Sequence, residues 1–314
     1  MTKYVRASAA LALIWALSAC SGDNTDSAEQ AAARDNLDAM SEVHATDTTE
    51  ATPAVEEAPA REVVAEVLPY AEVGNDLIYG HFAFPEDMIE PLPAIIVIHE
   101  WWGLNDNVRA MADRLAGEGY IVLAVDLFGG EVATTPVEAR EKMQKVIENP
   151  RQAVDNLRQA LTFVDDVAEA PKVATLGWCF GGGWSLNAAL EFSGQLDATV
   201  IYYGQVTSDT ERLSALESPV LGIFAAEDRG ISVDSVRGFE AAMDQLGKDG
   251  SIYVYPGVGH AFANPTGRNY NAEAADDAWG KTLEFLRQEL VVSSGEADAS
   301  DDPSGSSVES SSGG

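Results

Sequence analysis

Short apolar, β-branched runs alternate with longer amphipathic stretches along most of this chain. The runs Ile95–His99, Ile121–Val125, Val173–Leu176, Ala198–Tyr202, Val220–Ala225 and Ile252–Tyr255 are apolar at nearly every position rather than at every second one. That pattern fits strands covered on both faces, as in a parallel sheet. Between them, apolar positions at helical spacing predict helices over Asn107–Ala116, Pro136–Val146, Arg151–Val167, Trp184–Phe192, Val233–Leu246 and Ala272–Gln288. Two earlier runs, Arg61–Leu68 and Leu77–Phe84, predict an antiparallel pair at one edge. There is no internal repeat. The alternation predicts an open α/β sheet whose ligands gather at the carboxyl ends of the strands.

The ends of the chain read differently from its body. Lys3 and Arg6 precede an apolar segment, Ala7–Leu17, broken only by Ser8 and too short to span a bilayer. It runs into Leu17-Ser18-Ala19-Cys20, which resembles a bacterial lipobox. Residues 1–20 are therefore expected to be a lipoprotein-type signal, with Cys20 lipidated as the mature N-terminus; an ordinary cleavable signal with a chance cysteine is the alternative. Ser21, a residue other than Asp, resembles the outer-membrane sorting pattern of Gram-negative lipoproteins. The expectation is an exported protein, lipid-anchored at the periplasmic face of the outer membrane and touching the membrane through that lipid only.

Residues 21–61 are rich in Ala, Asp, Glu, Ser and Thr and poor in large apolar groups, so a disordered acidic tether is expected there. Residues 291–314 are rich in Ser, Gly and Asp and read as a disordered tail. The intervening stretch, residues 62–290, is long enough for one α/β domain with a large core.

Charge excludes one class of partner. Between Leu68 and Leu290 there are 15 Lys+Arg against 34 Asp+Glu, a net charge of −19. A body this acidic repels phosphate backbones, so nucleic acid is not an expected partner.

The stretch Gly177-Trp178-Cys179-Phe180-Gly181-Gly182-Gly183-Trp184-Ser185 carries the most chemistry. It joins the strand Val173–Leu176 to a helix through a glycine-rich turn, the setting of a nucleophile elbow, with Cys179 in the nucleophile's place. The tight turn favours glycine because side chains would collide. Helix N-terminal amides next to the sulfur favour thiolate and can bind an oxyanion. Cysteine is also a common small buried hydrophobe, and Gly-rich turns also bind phosphate. The chain has two cysteines, so lipidation of Cys20 would leave Cys179 unpaired in an oxidising compartment.

Two further strand ends decide in favour of catalysis. Val220–Ala225 runs into Ala226-Glu227-Asp228, and Ile252–Tyr255 runs into Pro256-Gly257-Val258-Gly259-His260. Nucleophile, acid and histidine thus follow in the chain order of an α/β-hydrolase triad. His260 is placed to take the thiol proton and return it to a leaving group; Asp228 orients the imidazole, with Glu227 as the runner-up. The loop His99-Glu100-Trp101-Trp102-Gly103-Leu104-Asn105 ends another strand. Its position predicts an oxyanion hole formed by the N–H groups of Trp101 and Phe180. A zinc motif would need a second histidine where Gly103 stands, so neither a metal nor a cofactor is expected.

Together, His-Glu-Trp-Trp-Gly-Leu-Asn, Gly-x-Cys-x-Gly-Gly, the strand-end Asp228 and Gly-Val-Gly-His-Ala-Phe-Ala-Asn resemble the dienelactone hydrolase family over about residues 62–290. The resemblance implies an α/β-hydrolase fold, a Cys179–His260–Asp228 triad, and a role for Glu100 in contacting the resting thiol until substrate arrives. It departs from the dienelactone-cleaving members at the substrate. They hold a carboxylate with two arginines, whereas Asp126-Leu127-Phe128-Gly129-Gly130 and Phe262-Ala263-Asn264 supply none, and Arg268 is the nearest candidate. A more neutral pocket follows, lined by Trp101, Trp102, Tyr203 and Phe262, or these aromatics are simply core. The expected activity is cofactor-free hydrolysis of a small ester, lactone or thioester through an acyl-enzyme. The alternative is an envelope-tethered binding protein for small carbonyl compounds on the same fold.

Overall fold

The structure, a computed structural model, describes residues 40–44 and 58–290. The expected signal, Cys20, the C-terminal tail and most of the expected tether lie outside the described residues. Strands β1 (Val63–Val73), β2 (Asp76–Pro85), β3 (Ala94–Ile98), β4 (Ile121–Val125), β5 (Val173–Trp178), β6 (Ala198–Tyr202), β7 (Val220–Ala225) and β8 (Gly250–Tyr255) form one sheet. Helices are α1 (Asp106–Gly117), α2 (Pro136–Glu148), α3 (Pro150–Asp166), α4 (Phe180–Glu191), α5 (Thr210–Leu213), α6 (Val233–Leu246) and α7 (Ala272–Leu290).

The strand order is β1-β2-β4-β3-β5-β6-β7-β8. β1, β2 and β4 pair antiparallel, and from β4 to β8 every neighbour is parallel. Every residue of β3, β4, β5, β6 and β7 is buried, as their continuous apolar runs require. This is the mostly parallel α/β sheet that the alternation predicts, and its type is the α/β-hydrolase fold that the family resemblance implies.

The order also places the site. From β3 the chain crosses to β4 on one side, and from β5 it crosses to β6 on the other. Right-handed crossovers then carry α1 and α4 to opposite faces and open a crevice above the carboxyl ends of β3 and β5.

Four elements differ from the sequence pattern. β5 extends through Trp178, which pairs with Tyr202, and α4 begins at Phe180 rather than Trp184. Three glycines read as turn, yet at two of them, Gly181 and Gly182, only glycine fits the start of α4. A Cβ on Gly181 would strike the carbonyls of Ile98 and His99, and one on Gly182 would lie 2.7 Å from Tyr202 O. β8 is an exposed edge strand rather than one covered on both faces; the Lys281 ammonium lies 5.1 Å from the Tyr253 ring centroid instead. The short α5 had no apolar period to reveal it, and Asp209 Oδ1 caps it by accepting from Glu211 N at 2.8 Å.

The largest departure lies in the expected tether. Residues 40–43 form a helical turn, and both Met40 and His44 are buried against the domain.

Candidate active site

Cys179 sits between β5 and α4 with φ +55 and ψ −117, a strained conformation for a residue with a Cβ. Its N–H donates to Tyr202 O at 2.9 Å, which holds the turn against β6. Cys179 is the N-cap of α4 but its side chain makes no capping bond, so the sulfur is left for other partners. As the first helical residue, Phe180 has no i−4 carbonyl for its N–H within the helix.

β7 and β8 bring in Asp228 and His260 from their carboxyl ends. His260 Nδ1 lies 2.7 Å from Asp228 Oδ2, and both side chains are almost fully buried. Asp228 is anchored through its other oxygen, which accepts from Gly230 N at 2.8 Å and Ile231 N at 2.9 Å. Glu227 is exposed, so the carboxylate facing the imidazole is that of Asp228. Cys179 Sγ and a ring nitrogen of each of His260 and His44 all lie within 4.8 Å of one another. Burial raises the Cys179 thiol, but the His260 imidazole, and His44 beside it, outweigh burial and pull its pKa below the usual thiol value. Burial lowers His260, and the Cys179 and Asp228 charges overcome this and raise it. The two shifts describe a pair poised toward thiolate and imidazolium.

Glu100 follows β3 and is buried. Burial first, and then the charge of Cys179, raise its carboxyl to about 7. Its Oε1 accepts from Asn264 Nδ2 at 2.9 Å. The Asn264 amide is held in that orientation because its Oδ1 accepts from Thr266 N at 2.8 Å and Thr266 Oγ1 at 2.7 Å. Asn264 was legible in the sequence only as a position lacking arginine; its orienting role needs the fold. His99 was also missed. Its Nδ1 bonds Glu100 O at 2.8 Å and its Nε2 accepts from Leu127 N at 3.0 Å, tying the β3 loop to the β4 loop.

The aromatic residues divide by position. Tyr203 lies edge-on to His260 at 5.1 Å and to Phe262 at 5.7 Å. Trp101 stacks on His44 at 5.2 Å, and Trp102 stands behind it, edge-on at 6.3 Å. Arg268 is exposed and the structure gives it no role here. Six buried side-chain polar atoms lack a hydrogen-bond partner among the described residues. Five belong to this constellation: Glu100 Oε2, Trp101 Nε1, Trp102 Nε1, Tyr203 Oη and His260 Nε2. Such groups are costly inside a protein and are retained where something else is meant to meet them.

Over the thiol lies the turn at residues 40–44. Met40 Sδ is 3.5 Å from Cys179 Sγ, and His44 Nε2 is 3.9 Å from it. With this turn in place Cys179 is only 3% exposed and His260 1%. The i, i+4 spacing of Met40 and His44 was visible in the sequence, but nothing local said where that face would dock.

Sheet order, elbow and acid–base pair define an α/β-hydrolase. Within that class, the chain matches the Dienelactone hydrolase family over residues 78–290, and it belongs to that family. A protein named "Putative carboxymethylenebutenolidase" in Saccharolobus solfataricus is 33% identical over 248 residues, covering 67% of this chain and 94% of that protein. "Protein usf" of Aquifex pyrophilus is 35% identical over 211 residues, covering 63% and 89%. A crystal structure of a dienelactone hydrolase homologue from Klebsiella pneumoniae superposes with a TM-score of 0.66 at 26% identity, covering 73% of this chain and all of that one. The chain is thus a dienelactone hydrolase-like ester or lactone hydrolase.

Proposed function

We propose that this hydrolase cleaves a small, uncharged ester, lactone or thioester through an acyl-enzyme on Cys179. The observation that carries the reading is the strained Cys179 elbow beside an imidazole whose far nitrogen is bonded to Asp228 at 2.7 Å. Cys179 attacks the carbonyl carbon as thiolate, and the Trp101 and Phe180 amides receive the oxyanion. His260 Nε2 gives its proton to the leaving oxygen or sulfur, then takes one from the water that clears the acyl group. Asp228 stabilises the imidazolium. Glu100, held by Asn264, carries a proton near neutrality and contacts the thiol before substrate enters. Trp101, Trp102, Tyr203 and Phe262 line the acyl side. The absence of arginine at both expected carboxylate-binding segments favours a neutral substrate.

Stopped-flow hydrolysis of p-nitrophenyl acetate tests this, using protein carrying Cys20→Ser so that Cys179 is the sole thiol. A burst of one equivalent per site that vanishes in Cys179→Ala is expected; a burst surviving that substitution would rule the mechanism out. We further propose that Cys20 is lipidated and anchors the protein in the cell envelope. Metabolic labelling with an alkyne fatty acid should mark the wild type and not Cys20→Ser; equal labelling would overturn the anchor.

A further inference from the structure

The turn at residues 40–44 brings two ligand-type donors to a site that already holds two. Met40 and His44 are four residues apart, so they project from the same face of one helical turn. His44 joins Cys179 and His260 in a cluster whose ligand atoms lie within 4.8 Å of one another, and the Met40 thioether lies 3.5 Å from the Cys179 sulfur. Hydrogen bonding does not complete this cluster, because His260 Nε2 and Glu100 Oε2 are buried without partners.

We propose that Cys179, His260 and His44, with Met40 alongside, bind a thiophilic d10 cation, Zn2+ or Cu+, and that the bound ion holds the hydrolase inactive.

Donor chemistry is the first argument. Thiolate and imidazole are the usual ligands of Zn2+, and adding a thioether makes a site suited to Cu+. Spacing is the second. Bonds of about 2.0–2.3 Å to a tetrahedral ion set neighbouring donors roughly 3.3–3.8 Å apart. The Cys179–Met40 separation of 3.5 Å falls in that range, and the Cys179–His44 separation of 3.9 Å lies just outside it. The cluster limit of 4.8 Å leaves at most about 1.5 Å of closure, within reach of side-chain rotation. The outer partners are the third. A metal-bound histidine almost always passes its other N–H to a carboxylate or carbonyl, which fixes its tautomer. His260 already does so, through Nδ1 to Asp228.

The step balances without redox chemistry. The ion takes the place of the one proton carried by the Cys179 and His260 pair, forming one metal–sulfur and two metal–nitrogen bonds and releasing that proton to solvent. With thiolate and imidazole both coordinated, neither nucleophile nor acid is available, and the ion holds residues 40–44 over the site. Removing the ion frees that turn to leave.

The test uses the full chain carrying Cys20→Ser, stripped with chelator and handled anaerobically. Co2+ serves as the optical probe for the Zn2+ site, and Zn2+ and Cu+ are titrated against competing chelators. One Co2+ per chain is expected, with a near-ultraviolet thiolate-to-metal band, and hydrolysis should fall as Zn2+ fills the site. His44→Ala should weaken Zn2+ binding at least about tenfold, read against the competing chelator on protein whose fold is checked by its urea midpoint. Met40→Leu then separates the ions: weakened Cu+ binding identifies Cu+, and unchanged binding of both identifies Zn2+ held by three donors. A wild type without the charge-transfer band, or a His44→Ala protein that binds as tightly as wild type, would overturn the proposal. The acyl burst is read on metal-free enzyme, so its loss would strike the hydrolytic mechanism and leave this site standing.

Discussion

Two buried histidines stand at strand ends in this molecule, each close to a buried aspartate, and they have opposite fates. His99 follows β3 and has Asp126, from the end of β4, at 3.8 Å; His260 follows β8 and has Asp228, from the end of β7, at 2.7 Å. Both nitrogens of His99 are bonded, one to Glu100 O and one to Leu127 N. Burial lowers its pKa, more than Asp126 raises it, so it stays a neutral strut. At the other end, His260 has one nitrogen bonded and one bare, and its neighbours raise its pKa despite burial. The aspartates differ in the same way. Asp126 gives its two oxygens to the amides of Phe128 and Gly130, whereas Asp228 anchors itself through one oxygen and keeps the other for the imidazole. Burial beside an aspartate is therefore no mark of catalysis. The distinguishing feature is a polar atom that the protein builds, buries and leaves unmet.

The comparison breaks most sharply at the two histidines. His260→Ala should reduce kcat/KM by about 10³–10⁴-fold with little loss of stability. His99→Ala should do the reverse. It removes two buried hydrogen bonds and should cost about 2–4 kcal/mol in a urea melt, with kcat/KM within about tenfold below the melting range. A stability loss confined to His260→Ala would reverse these assignments. At the aspartates, Asp228→Asn should cost about 10²–10⁴-fold in kcat, and Glu227→Gln should stay within about twofold, since only the former faces the imidazole.

A smaller effect concerns Glu100. Its folded pKa of about 7 stands above the ordinary 4.5, so the native state retains a proton that the unfolded chain has lost. Its contribution to stability is complete below pH 4.5 and disappears as pH rises through 7, a change on the order of 3 kcal/mol at most. Glu100→Gln should flatten that part of the stability curve, read as the urea midpoint between pH 4.5 and 8; an unchanged slope would show that another group titrates there. The smallest effect is expected at Arg268. Arg268→Ala should leave hydrolysis of a neutral ester within about twofold, because this side chain is exposed. A larger loss for an anionic lactone alone would make it a substrate-binding cation.

Much of the architecture was legible because strands buried on both faces must be apolar throughout. β4, β6 and β7 coincide with their runs for that reason. Legibility failed where a residue's role depends on what lies across from it. The glycines of α4 read as a turn, since their helical placement follows from the carbonyls of Ile98, His99 and Tyr202 pressing against them. At the site, Cys179, Asp228 and His260 could be found from strand ends and chain order alone. Asn264 could not, because an asparagine two residues beyond a buried phenylalanine carries no local sign of a glutamate 164 residues away.

From the pattern of its residues alone, the chain determined a mostly parallel α/β sheet, the elbow at Cys179 and the order of its chemical partners. Each of these follows from short-range spacing and the need to bury apolar runs. Tertiary structure decided which carboxylate meets His260, which histidine is left with a bare nitrogen, and that Met40 and His44 return across more than 130 residues to cover the thiol. Those outcomes rest on contacts between distant segments, where the energy depends on the shape and unsatisfied donors of the opposing surface, and no local pattern records either.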